Sequence, residues 1–552
     1  MPNPTQARTQ QDDGLRWTQV LWSVVEEYME NTSLHGYRYL TEPNRHWLER
    51  LLWLIIHGLA AWGVVNIILG VWEEFVNTPT VTTVDSTNYP IWNVPFPAVA
   101  VCNINRISKS RARETAKKVS TERTEEDEER LFQLLRYLGR LYDHDDDDKG
   151  KLEELHVMLT TLNSSYDVNQ LMKDLSPQCS ELLVRCMWLG RVYDCEELFD
   201  FRKTMDGYCC TFNYIRQSDS FGDYGKTHNQ DDPEDIVDDG VRVNSPGYQM
   251  GLSVVLNPEP EDYYYPLISS IGTKILVYNP RDFPDTPSGG LIEKLVPLRS
   301  EVFYRIEATT VESMPDVQEF ALDQRGCLFQ SELSEEFSGY YSYSDCLMNC
   351  RVKSINTLCK CVPFYMPKTS NIRDCDLLDI PCLNRYREKW TTLRPPDNVP
   401  GLDVEREESI TCHQCLPACS DSAYHVQTTS APLTNEKYGH SLLSEDLQFG
   451  NHSVFHLFFG SVNSVKLKQD ILYYWYELLS NFGGICGLFV GFSLISVVEF
   501  VYFFTFRLFF ATQRGSHSEE QPTTESSTGE RSNFPNGQKG ELYWKEFQAP
   551  RF

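Results

Sequence analysis

No Asp, Glu, Lys or Arg occurs from Leu51 to Trp72 (LLWLIIHGLAAWGVVNIILGVW), nor from Leu478 to Val498 (LLSNFGGICGLFVGFSLISVV). About 20 such residues, at about 1.5 Å rise each, match a bilayer core of roughly 30 Å. The chain is therefore read as crossing a membrane twice, with some four hundred residues between the crossings. Cysteine is missing before Cys102 and after Cys486, although the chain holds 17. Basic residues are scarce as well: 50 Lys and Arg face 78 Asp and Glu, for a net charge of −28. That balance argues against nucleic acid as a partner, because self-repulsion and phosphate repulsion add. There is no P-loop, no HExxH and no GxSxG, and the 12 histidines follow no metal-ligand spacing. An enzyme, a resident metal and a cofactor are accordingly not expected.

What is there supports the two crossings. Gly483, Gly484, Gly487 and Gly491 crowd the second apolar run. Glycine is costly inside a soluble helix but common in membrane helices, where it lets backbones approach. The first run begins only at Leu51, behind a mixed-charge segment, and no A-x-A-like cleavage site follows it. It is expected to stay in the membrane. Arg38, Arg45 and Arg50 precede it, Glu73 and Glu74 follow it, and Arg507 and Arg514 follow the second run. The positive-inside bias then puts both termini in the cytoplasm and the middle region outside; the expected location is the plasma membrane.

Sixteen of the cysteines lie between Cys102 and Cys419, in the region assigned outside, and the seventeenth is Cys486 inside the second run. An even number in an oxidising compartment reads as up to eight disulfides. Zinc is the competing reading for Cys412-His-Gln-Cys415 and Cys359-Lys-Cys361. The sequons at Asn163 and Asn451 are expected to carry glycans, whereas Asn31-Thr-Ser33 is expected to be silent on the cytoplasmic side.

Along the chain, Phe96–Cys102 reads as a Pro-bounded strand, and residues 107–175 are charge-dense with helical periodicity. The acidic runs Glu125–Glu129 and Asp145–Asp148 read as solvated faces. Residues 240–312 look β-rich, with Val302, Tyr304, Ile306 and Ala308 facing one way and Arg305 and Glu307 the other. Asp231–Asp239 and Pro280–Gly290 read as loops, and 454–467 as one strand leading back to the membrane. Cys346 and Cys350 share a helix face by their spacing. The expected division is 1–45 cytoplasmic N-terminus, 46–74 first membrane helix, 75–470 cysteine-rich extracellular domain, 471–510 second membrane helix and 511–552 cytoplasmic tail.

In the second run, Leu478-Leu-Ser-Asn-Phe-Gly-Gly-Ile-Cys-Gly-Leu-Phe-Val-Gly491-Phe492-Ser493, continuing to Glu499, closely resembles the pore helix of the epithelial sodium channel/degenerin family. His35-Gly36 is similar to that family's gating motif. Phe96-Pro97…Cys102-Asn103 is similar to its post-span strand. Gly207-Tyr-Cys209-Cys210-Thr-Phe-Asn213 and Cys412-His-Gln-Cys415-Leu-Pro-Ala-Cys419 are similar to its cysteine signatures, and the doubled cysteine to the arthropod pickpocket branch. The resemblance implies an α+β membrane protein with two transmembrane helices and a disulfide-rich domain of β-sheet core and peripheral helices. It further implies a trimer of like or related subunits that passes Na⁺ and is of the amiloride-sensitive type.

Carried over by that match, the bridges are Cys327–Cys419, Cys346–Cys415, Cys350–Cys412, Cys359–Cys382 and Cys361–Cys375, strictly nested as a ladder between two packed helices would require. Cys102–Cys209 and Cys186–Cys195 follow in the same way, and Cys179–Cys210 is inferred for the remaining pair. Each contributes roughly 2–4 kcal/mol by loop closure. Gly491, Phe492 and Ser493 are assigned to the selectivity filter, where backbone carbonyls and a hydroxyl replace the ion's water. Phe492 departs from the Ala or Ser of many relatives. His35, Gly36 and Ser480 are assigned to gating, and Glu499 to the inner pore mouth or a partner. Acid-sensing relatives carry an aromatic just before the first thumb cysteine; Asp323-Gln-Arg-Gly-Cys327 does not, so proton gating through that contact is not expected. An ATP-gated-type channel and a non-conducting receptor or accessory subunit are the other classes compatible with two crossings and many cysteines.

Overall fold

The computed structural model describes residues 4–119, 124–162, 166–216, 240–332, 341–368, 372–395, 399–434 and 450–517. The sequon at Asn163 and the loop at Asp231–Asp239 lie outside them. The chain divides into two compact units, Met1–Glu73 with Trp475–Phe552, and Glu74–Tyr474.

In chain order the principal elements are α1 (Pro4–Asn31), α2 (Trp47–Asn77), β1 (Thr80–Pro90), β2 (Ala98–Asn103), α3 (Lys109–Val119), α4 (Glu125–Leu135), α5 (Lys149–Leu162), α6 (Val168–Leu175), β3 (Leu183–Trp188), β4 (Arg191–Tyr193), β5 (Asp200–Thr204), β6 (Gly207–Phe212), β7 (Leu252–Leu256), β8 (Gly272–Tyr278), β9 (Ile292–Pro297), β10 (Ser300–Ser313), α7 (Tyr343–Cys359), β11 (Ser420–Pro432), β12 (Ser453–Phe459), β13 (Asn463–Ile471), α8 (Trp475–Val490), α9 (Leu494–Val501) and α10 (Leu508–His517).

Two helical stretches are long and apolar enough to cross a membrane, Trp47–Asn77 and Leu494–Gln513, of 31 and 20 residues. Most side chains of α2 are exposed, Leu52, Leu54, Leu59 and Trp62 among them. In lipid that exposure is favourable, while the helix satisfies every backbone group within itself. The second crossing differs from the uninterrupted helix expected. It starts at Trp475, because β13 runs on to Ile471, and it breaks between Val490 and Leu494.

The Glu74–Tyr474 unit holds an eight-stranded sheet, ordered β1-β13-β10-β12-β7-β3-β4 with β11 also on β10, and a five-stranded sheet ordered β5-β6-β2-β8-β9. Strand β2 is buried at all six positions, as its unbroken apolar sequence demands. In β10 Val302, Tyr304, Ile306 and Ala308 are buried while Arg305 and Glu307 are exposed, the alternation that a sheet covered on one face imposes. Val99, Val101, Ile275 and Val277 of the second sheet share one core with Val302, Ile306, Phe455 and Leu457 of the first. A second core joins α4 to α7 through residues such as Leu131, Leu135, Met348 and Ile355.

The single strand expected over 454–467 is two. Strands β12 and β13 both run parallel to β10, one beside Glu301–Ile306 and the other beside Thr309–Ser313. The jog falls at Gly460, whose N–H donates to the Ile306 carbonyl at 3.0 Å. A Cβ there would stand 1.9 Å from Arg305 Nε, so any larger residue would have to push the Arg305 side chain aside.

Eight disulfides staple this unit: Cys102–Cys209, Cys179–Cys210, Cys186–Cys195, Cys327–Cys419, Cys346–Cys415, Cys350–Cys412, Cys359–Cys382 and Cys361–Cys375. Neighbouring Cys209 and Cys210 point to opposite faces of β6, so one reaches Cys102 on β2 and the other Cys179. Cys412, Cys415, Cys359 and Cys361 are thus disulfide sulfurs rather than thiolate ligands. The five nested bridges do not join two helices. Cys346 and Cys350 lie one turn apart on α7, but Cys415 and Cys412 lie in irregular chain ahead of β11, held by isolated bridges such as Leu328↔Ala418.

In the segment leading to Cys327, Arg325 is buried. It donates to the carbonyls of Cys327 (3.0 Å) and Gln318 (3.1 Å) and pairs with Glu332. In the same loop Gln324 donates to the Val76 carbonyl at 3.2 Å, and Asp316 accepts from the Tyr474 hydroxyl at 3.3 Å.

Candidate functional site

Gly491 ends α8. Its φ of +74° is left-handed, a conformation glycine adopts without the penalty other residues incur. Two residues on, Ser493 begins α9. Its Oγ accepts from Ser496 N–H at 3.4 Å while Ser496 Oγ accepts from Ser493 N–H at 3.1 Å, a reciprocal cap at a helix start. Gly-Phe-Ser is thus a stop followed by a start. Among the described residues no N–H or O–H donates to the carbonyls of Gly491 or Phe492. Two backbone oxygens between apolar helices are left for another partner; within a bilayer that would be tolerated only where the backbone lines a cavity or is buried in protein. The Phe492 side chain is 44% exposed and contributes to none of these bonds.

The N-terminal segment docks on this break. His35 N–H donates to the Val490 carbonyl at 3.0 Å. The imidazole covers Gly491 so closely that a Cβ there would lie 2.6 Å from His35 Cδ2. Ser33 donates to Glu499 Oε2 twice, from its N–H at 2.9 Å and its Oγ at 3.1 Å, and Thr32 Oγ1 adds a longer bond at 3.5 Å. Ser33 Oγ also meets Ser496 Oγ at 2.8 Å. Glu499, costly in an apolar helix, therefore finds its partners within the chain. Gly36, at φ +79°, turns the chain against α2, where a Cβ would lie 2.9 Å from the Trp53 ring and 3.2 Å from His57. Tyr37 and Tyr39 stack on His57 and Trp53, with centroids 4.5 and 4.7 Å apart.

Below the break, α9 passes into a π-helical turn at Tyr502–Arg507. Tyr28 of α1, buried, sits edge-on to Phe500, Phe503 and Phe504 at 5.4 to 6.0 Å. Glu27 takes both a 3.0 Å bond from Arg507 Nε and a 2.6 Å bond from Nη2. A bidentate fork of this kind is the stronger form of ion pair.

The structure thus brings His35, Gly36, Gly491, Ser493 and Glu499 together, with Phe492 at the rim. Ser480 is apart from them, exposed on α8, and Cys486 is a free, half-buried thiol. Asn451 accepts from Arg299 at 3.1 Å through Oδ1. Asn31 is tied to the Glu27 carbonyl at 2.7 Å through its amide nitrogen, the atom a glycan would need. Ser33, Ser496, Glu27 and Arg507 were missed in sequence. The one signal was polar residues recurring in apolar surroundings.

A family model described as amiloride-sensitive sodium channel matches residues 28–503. The Drosophila melanogaster sodium channel protein Nach is 29% identical over 501 residues, covering 88% of this chain and 86% of its own. Pickpocket protein 28 of the same fly is 26% identical over 530 residues, covering 89% and 79%. The bile acid-sensitive ion channel of Mus musculus is 23% identical over 497 residues, covering 87% of each chain. The family is one of ion channels, not enzymes. With its stop-and-start second helix, its docked His-Gly segment and a match spanning most of its length, the chain belongs to the amiloride-sensitive sodium channel family.

Proposed function

We propose that the chain is a pore-forming subunit of a plasma-membrane channel selective for Na⁺ and blocked by amiloride, with the cysteine-rich unit outside and both termini in the cytoplasm. The observation that carries this reading is the break at Gly491-Phe492-Ser493, with two carbonyls free of protein donors. One chain supplies one such break, so a ring of ligands needs several copies; three, alike or related, match the family. Na⁺ requires oxygens that replace its hydration without holding it, and the free carbonyls with Ser493 Oγ are such oxygens. His35 and Gly36, seated on the break, act as part of the gate.

Voltage clamp of the chain alone and with related subunits, with and without amiloride, tests conduction. Gly491→Val is expected to abolish Na⁺ current at unchanged surface expression, because the left-handed backbone disfavours a β-branched residue and the added atoms meet His35. Ser493→Ala is expected to shift the Na⁺/K⁺ reversal potential. Unaltered reversal potentials in both variants would remove these residues from the filter. For the topology, glycosidase treatment is expected to shift mobility, and loss of Asn163 and Asn451 together to abolish the shift. A glycan on Asn31 would reverse the orientation.

A further inference from the structure

A cavity of about 210 Å³ opens in the cysteine-rich unit. Its walls include the turn after the Arg140–Asp143 helix with His144, α7 with Arg351, and the segment after α7 with Tyr365 and Met366, closed by Trp390 and Arg387 of the Arg387–Thr391 helix. Trp390, Tyr365 and Met366 are each 5% exposed and Arg351 2%. Arg387, by contrast, is exposed and stands at the mouth.

The charges are unequal. Arg351 is neutralised by the buried Asp285 at 2.7 Å. Arg387 meets a backbone oxygen, the Asp143 carbonyl at 3.2 Å, and no carboxylate among the described residues. The Asp143 carboxylate is itself held by Tyr265 and by Arg140 at 3.5 Å. His144 contributes no charge near neutral pH, since burial and the Arg387 guanidinium push its imidazole down to about 4; its Nε2 meets the Tyr365 hydroxyl at 3.4 Å. In a chain of net charge −28, an unpaired guanidinium over an aromatic-walled cavity is out of keeping with mere surface solubility.

We propose that this cavity binds a small organic anion, a carboxylate carried on a single ring or short apolar body. The guanidinium of Arg387 takes the carboxylate, for which its planar fork is suited, and the body enters among Trp390, Met366 and Tyr365. A cavity of roughly 150 Å³ already admits a benzene ring, so one ring with its carboxylate fits. Such a site has the mostly apolar lining and few convergent polar groups of small-molecule pockets.

The test uses the purified full chain in detergent, with equilibrium dialysis of labelled benzoate against empty micelles. Saturable binding is expected, weakened at least about tenfold for neutral benzamide and by a similar factor in Arg387→Gln. Arg385→Gln, on an exposed arginine nearby that does not line the cavity, is expected to bind as the natural chain does. Affinity is expected to be constant between pH 6 and pH 8, where benzoate is charged and His144 neutral. Absence of saturable binding, equal affinity for benzamide, or undiminished binding by Arg387→Gln would each overturn the proposal. A steep fall in affinity from pH 6 to pH 8 would also do so, by assigning the anion to a protonated histidine. The readout involves no current, so it stands or falls independently of ion conduction.

Discussion

The two units of this chain hold their shape by opposite means. Between Glu74 and Tyr474 eight disulfides and two sheets fix a dry interior in which many side chains have no exposure at all. In the membrane unit no disulfide occurs among the described residues, and burial is confined to a few positions such as Val24, Tyr28 and Ser496. Its polar bonds include a cluster where the N-terminal segment meets the broken helix and separate ion pairs at Arg45 and Arg507. A covalently stapled body keeps one geometry; a body held by a handful of hydrogen bonds can take two. The contrast places the capacity for alternative geometries in the membrane unit.

The sharpest way to break the contrast is to unstaple the stiff unit. Removing Cys327–Cys419 by paired alanines is expected to cost about 3.4 kcal/mol by loop-closure entropy, and removing Cys186–Cys195 about 2.6 kcal/mol, because the nested Cys346–Cys415 bridge, of separation 69, already shortens the outer loop of separation 92, whereas Cys186–Cys195 closes its separation of 9 alone. Thermal midpoints of the purified variants check this. Equal losses would show that chain entropy is not what the bridges act on.

Acid gives the next effect. His144 is held near 4 against an ordinary value of 6.5, so the unfolded chain takes up the proton first. Its contribution to stability is complete above about pH 6.5 and is lost as pH falls toward 4, up to about 3 kcal/mol. His144→Asn, which tolerates the left-handed backbone at φ 56°, is expected to flatten the fall of melting temperature between pH 7 and pH 4.5. An unchanged slope would assign the acid sensitivity elsewhere.

The membrane unit is expected to answer in current rather than in melting. Ser480 is small and exposed on one chain. If α8 helices cross there in the closed assembly, Ser480→Val crowds that state. A shift of about 2 kcal/mol raises the open-to-closed ratio roughly thirtyfold, whereas Ser480→Ala does not. Equal basal current per surface channel in the natural chain and Ser480→Val would sink the idea. The smallest effect is at the docking contact: Ser33→Ala removes a hydroxyl bond to Glu499 worth about 1 kcal/mol, an expected shift of roughly fivefold in open probability at unchanged surface expression.

How legible each region was follows the same division. The alternation of β10, the helices of 107–175, and the Gly-x-Ser break are written in neighbouring residues, and local chemistry decides them. The cysteine pairs needed the family match. Ser33 and Glu499 are 466 residues apart, and Glu27 and Arg507 480; no periodicity links such positions. His57-Gly58 is a second His-Gly dipeptide, yet its imidazole is what Gly36 packs against. Two errors had one origin. A helix was expected opposite α7, and one strand was expected over 454–467. In both, covalent or parallel pairing with a distant segment set the backbone, against what local pattern suggested.

The bonds around Glu499 also have a direction. An ionised carboxylate only accepts, so Ser33 must spend its hydroxyl proton on it. Ser496 then has to give its proton to Ser33, and Ser493, 3.2 Å from Ser496 Oγ, has to give its proton to Ser496. Every hydroxyl dipole in this row is turned the same way, and each bond polarises the next. The row ends on Ser493, whose Oγ gives its proton to Ser496 and accepts from the Ser496 N–H, which leaves it one lone pair. A single carboxylate, three hydroxyls away, thereby sets which way the hydroxyl beside the break is turned.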